Sequence, residues 1–170
     1  MKKHEGLEYF LSKNLLIFLF TYYMLILIGG CASTIYIGCS LTEQITQALL
    51  LLKTFIISLS VSGMLCSIQY IKRLYKACIT GRINTQPDTF KRIGNLAYFI
   101  SRPFFACVFS VIAIFCLLSG MFIITGSLDY ILNKKFLYLC VIISAIIGFS
   151  IGKVLDKFEG ICMERIENLK

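Results

Sequence analysis

The chain has 170 residues, 58% hydrophobic and 15% charged, with a net charge of +8. Soluble domains are about a quarter charged and under half apolar, so a mean hydropathy of +0.82 excludes an ordinary soluble enzyme and points to a bilayer. Crossing about 30 Å of hydrocarbon takes roughly 20 apolar residues. Four segments reach that length, at about 15–37, 49–71, 104–125 and 136–155. Nearly the whole chain is spent on crossing, as one all-α transmembrane domain.

Residues 1–13 read as a short amphipathic lead-in. Leu7, Phe10 and Leu11 share a helical face beside Lys2, Lys3 and Lys13, which suits a membrane interface. His4 is the only histidine and has no second metal ligand near it. The apolar run that follows exceeds a signal-peptide core of about 7–15 residues, so it is the first span. Gly29, Gly30, Ala32 and Ser33 slim its outer half for close helix packing.

Ser40-Leu41-Thr42-Glu43 fits a capping box, which would start the second helix. No breaker follows until Gly81, so about 40 residues, or about 60 Å, could be helical. That helix would project beyond the bilayer at its inner end. Thr54, Ser58, Ser62, Cys66 and Gln69 form a polar stripe on one face. The stripe is either a helix–helix seam whose hydroxyls bond back to backbone or the wall of an oligomeric pore. Lys53 lies about one turn inside the outer end, where its stem can carry the ammonium to the headgroups. Asp129 in the other outer loop is a candidate partner.

Residues 72–103 read as a cytoplasmic helical hairpin. Its seven basic residues are Lys72, Arg73, Lys76, Arg82, Lys91, Arg92 and Arg102, against one acid, Asp88. Gly81 suits the residue after a helix end. Pro87 and Asp88 mark a stop and a new N-cap, and a helix from Thr89 should kink or break at Pro103. Interleaved Tyr75, Phe90, Tyr98 and Phe99 suggest a face held against anionic headgroups or an acidic partner protein. No nucleic-acid motif is present, so direct nucleic-acid binding is not expected.

In the fourth span Ser144, Gly148 and Gly152 form a small-residue ridge for close packing, within one subunit or between subunits of a homo-oligomer. The tail, Lys153 to Lys170 with its helix at 156–170, continues span four as an amphipathic segment with Leu155, Phe158, Cys162, Ile166 and Leu169 on one face. Its charges balance, which suits a protein neighbour better than lipid. The eight cysteines form no CxxC pair and read as packing residues.

The N-terminal segment, hairpin and tail hold 14 of the 17 basic residues. The positive-inside rule then puts both termini in the cytoplasm. No catalytic set, phosphate loop or metal-ligand spacing is present, so no enzyme activity, cofactor or metal is expected.

Four apolar runs, both ends inside and the basic 72–102 hairpin resemble, at the level of architecture, the membrane subunit of the bacterial Kiwa antiphage defence system. The resemblance implies a tetrameric inner-membrane sensor of phage attachment that works with a cytosolic DNA-binding effector. It carries over no individual residue. The expected function is an oligomeric inner-membrane sensor or scaffold docking a cytosolic effector. The alternative is a pore-forming channel or depolarising effector built on the second-span stripe.

Overall fold

The computed structural model describes residues 9–40, 46–81, 83–84, 89–125 and 134–167. These form four long helices, α1 (Lys13–Cys39), α2 (Gln47–Ile79), α3 (Thr89–Thr125) and α4 (Lys134–Glu167). A strand pair completes the described elements: β1 (Tyr9–Phe10) lies parallel to β2 (Ile83–Asn84). The fold is all-α as expected, save for that pair. All four helices are long and apolar enough to cross a membrane.

The strand pair corrects the amphipathic lead-in. Tyr9 and Phe10 are extended, not helical. Leu11 is fully buried, and the Tyr9 ring sits 5.3 Å from Phe99. The side chains turn into the bundle, and the freed backbone pairs with the turn after α2. Residues 1–8, with Leu7, lie outside the described residues. Ser12 then caps α1, accepting from the Leu15 amide at 3.4 Å.

Ser40 does not open the second helix. It ends the first, its hydroxyl donating to Ile37 O at 2.9 Å. Glu43 lies outside the described residues, and α2 begins at Gln47 after Thr46. Its 33 residues give about 50 Å at 1.5 Å each, shorter than expected but longer than the hydrocarbon. It closes at Thr80, and Gly81 takes φ +65°, the left-handed residue that lets a chain leave a helix. Arg82, Pro87, Asp88 and Asp129 lie outside the described residues.

The second helix is the hub, packed against all three others, while α1 and α3 barely meet. Small residues set the close approaches. A Cβ on Gly30 would lie 3.0 Å from Ser60 O, and one on Gly148 only 2.6 Å from Ser62 O. The Ser144–Gly148–Gly152 ridge therefore packs inside the chain. Ser144 meets α3, its Oγ 2.6 Å from Ser110 Oγ. Gly148 and Gly152 meet α2. The fourth helix runs on through the expected tail to Glu167. The side chains of Phe158, Cys162 and Ile166, and the whole of Leu169, lie outside the described ones.

Gly148→Ala should lower stability by about 1–3 kcal/mol, the usual cost of overpacking. Gly29→Ala, where a Cβ meets nothing within 4 Å, should not. Thermal unfolding of both variants in detergent checks the contrast.

Candidate functional site

At the end where the basic residues gather, all four helices converge on a cluster of rings. Tyr23 of α1 stacks on Tyr70 of α2 at 5.9 Å. Tyr70 meets Phe99 of α3 edge-on at 6.0 Å and Tyr98 at 6.4 Å. Tyr23, Tyr70 and Phe99 are fully buried. Offset and edge-to-face ring pairs add about 0.5–1.5 kcal/mol each beyond the area they bury.

The cluster forms at the one place where α3 has a backbone defect. Proline has no amide, so Pro103 leaves the Phe99 carbonyl without its helical donor. The Tyr23 hydroxyl supplies that donor, at 2.6 Å. Beside it, Tyr22 Oη donates to Ile100 O at 3.3 Å. Of the kink or break expected at Pro103, the break is absent: α3 stays helical through it. In the sequence, Tyr22-Tyr23 in the N-terminal half of the first span is the available signal, but only the fold puts it opposite Pro103.

The basic residues divide into two sets, which corrects the single basic face. Lys72, Lys76 and Lys91 are exposed, and Lys91 Nζ lies 4.7 Å over the Phe10 ring. Arg73 and Arg102 turn inward. Arg73 sits 5.2 Å over Tyr70, and its Nη1 donates to Tyr98 Oη at 3.3 Å. Arg102 is only 2% exposed and lies 4.0 Å over the Tyr98 ring. Arg92 is half-buried. Gly152 makes room for this arrangement, since a Cβ there would stand 2.9 Å from Arg73 Nη2. Guanidinium over an aromatic face is favourable by about 0.5–2 kcal/mol, and it lets a charge enter a ring cluster.

The second-span stripe is mostly interior. Thr54, Ser58, Ser62 and Cys66 are fully buried within the single chain, and Gln69 is half-buried. Thr54 donates to Leu50 O at 2.8 Å and Ser62 to Leu59 O at 3.1 Å. These hydroxyls satisfy themselves on their own helix while the helices close around them. At the opposite end Lys53 Nζ donates to Ser40 O at 2.9 Å. A cation there also meets the negative pole of α1, a partner that sequence reasoning missed. Among the described residues, no three His, Cys, Asp or Glu side chains gather as metal ligands would.

Tyr23→Phe should cost about 1–3 kcal/mol by stranding a buried carbonyl. In a Pro103→Ala background residue 103 again has an amide to donate, and the same change should cost much less. A double-mutant cycle on thermal stability reads the coupling; equal costs in both backgrounds would remove the proposed link between tyrosine and proline.

Compared with known proteins, the chain matches no family model, no curated protein and no solved structure.

Proposed function

We propose that the chain is a multi-pass protein of a bacterial inner membrane, with both termini cytoplasmic. It works without enzyme chemistry, as an oligomeric sensor or scaffold that docks a cytosolic effector. Membrane insertion is supported by what the helices leave outside. Fewer than half of the residues in any of the four apolar windows are buried. Exposed Leu25, Ile28, Ile35, Ile112, Phe115 and Ile142 would make an insoluble surface in water but an ordinary one in lipid. Orientation is supported by the gathering of Lys and Arg at one end.

The observation that carries the docking role is the mix of exposed residues at the last turns of α2 and the first turn of α3, outside the spans read at 49–71 and 104–125. Phe90 is 89% exposed, Ile79 66% and Tyr75 61%, and they alternate with exposed Lys72, Lys76 and Lys91. Large apolar side chains among cations, outside the hydrocarbon, suit an acidic protein surface. The architectural resemblance to the Kiwa membrane subunit favours antiphage defence as the setting and a tetramer as the assembly. The interior position of the Ser144–Gly148–Gly152 ridge directs any oligomer contact to other helix faces.

The triple reversal Lys72→Glu, Lys76→Glu and Lys91→Glu should release a partner from the tagged protein purified in mild detergent, with the oligomer mass unchanged. Undiminished co-purification would sink the patch as the docking site. Reporter fusions at the C-terminus should read cytoplasmic; a periplasmic signal would reverse the topology.

A further inference from the structure

The third and fourth helices leave a groove along one side. Near the basic end it opens as a cleft of about 390 Å³, bounded by Gly94, Ala97, Arg102 and Phe105 of α3 and by Leu155 of α4. Further along lies a second cleft of about 350 Å³, between Phe109 and Ile112 of α3 and Ile147 and Val154 of α4. Phe105, Phe109 and Ile112 follow at intervals of four and three, and Ile147, Ile151 and Leu155 at intervals of four. Each set lies on one helix face, so the two clefts lie in line along the same helix pair, one turn apart.

The groove is chemically graded. Its mouth holds a guanidinium, and its depth is aliphatic and aromatic. Arg102 is fixed by stacking on Tyr98 at 4.0 Å, and a planar guanidinium suits a phosphate better than a lysine would. From Arg102 to Ile112 the helix rises about 15 Å at 1.5 Å per residue, half of a hydrocarbon core of about 30 Å. That is the depth of one leaflet. A second protein helix, about 10 Å across, would have to lay apolar side chains against the charged mouth.

The geometry points to a site for one anionic phospholipid of the inner leaflet, its phosphodiester on Arg102 and one acyl chain along the α3–α4 groove. This assignment rests on the reading that the helices cross a bilayer. It differs from diffuse attraction between exposed lysines and headgroups, because it names one buried cation and one groove. Ala97 and Gly94 keep the mouth open, and a Cβ at Gly94 would meet nothing within 4 Å.

The test reconstitutes the protein in phosphatidylcholine nanodiscs with a minor share of phosphatidylglycerol, then counts retained lipid by native mass spectrometry. Wild type should keep one phosphatidylglycerol, enriched about tenfold over the bulk ratio, because phosphatidylcholine brings its own quaternary ammonium beside the phosphate and so loses the equivalent of one charge-assisted contact with Arg102. Arg102→Gln should bring that ratio to bulk. Because Arg102 is buried, Ala97→Leu serves as a second variant: its site is exposed, and the larger side chain should block the mouth and abolish retention. Retention of both lipids at the bulk ratio, or full enrichment in Ala97→Leu, overturns the site. Inorganic phosphate alone should not raise the melting temperature in detergent; a rise equal to that with lipid overturns the acyl-chain part. If the protein fails to co-float with vesicles of either composition, the membrane reading falls first and the site with it.

Discussion

The carbonyl of Phe99 has no amide to receive within its own helix, and much of the basic end is arranged around that fact. Phe99 is fully buried, and a buried backbone group left unpaired costs about 1–3 kcal/mol, so the defect at Pro103 needs a donor from elsewhere. Tyr23 meets the carbonyl at 2.6 Å, which ties α1 to a helix it otherwise scarcely touches. Holding Tyr23 in place needs Tyr70, which needs room beside α4, and Gly152 provides it. Arg73 then anchors to Tyr98, and Arg102 lies over the same ring. One missing amide thus recruits residues from all four helices.

The opposite half depends on closeness. Backbones approach where Gly30 and Gly148 stand, and the Thr54 and Ser62 hydroxyls fold back onto carbonyls of their own helix. In a bilayer such helices would gain little from the hydrophobic effect, and contact between small residues would do the holding. The reach of Lys53 to the end of α1 closes the first helix pair at its far tip.

The helices were legible in the sequence because apolar length is a coarse signal that needs no partner. Gly81 was legible too, since a left-handed helix exit favours glycine. What the sequence hid were the contacts between segments. Ser40 reads equally well as a start or a stop, and only its 2.9 Å bond to Ile37 O decides. Tyr9 and Phe10 look helical by periodicity, yet burial against Phe99 and a two-residue ladder override it. Pro103 looked like a break because its remedy lies 80 residues upstream, on α1. Arg73 and Arg102 look like the lysines in a sequence, although a guanidinium that can stack on a ring is able to go where an ammonium would not.

The tyrosine–proline pair also carries an instruction about time. Translation delivers α1 and α2 before α3, so Tyr23 and Tyr70 precede the carbonyl they must accommodate. A donor already in place would let the third helix settle without a stage in which its carbonyl is left unpaired. A permuted chain, with α3 made first, would have to leave that carbonyl exposed until the last helix arrived. In this helix order the donor, Tyr23, always precedes the carbonyl it meets.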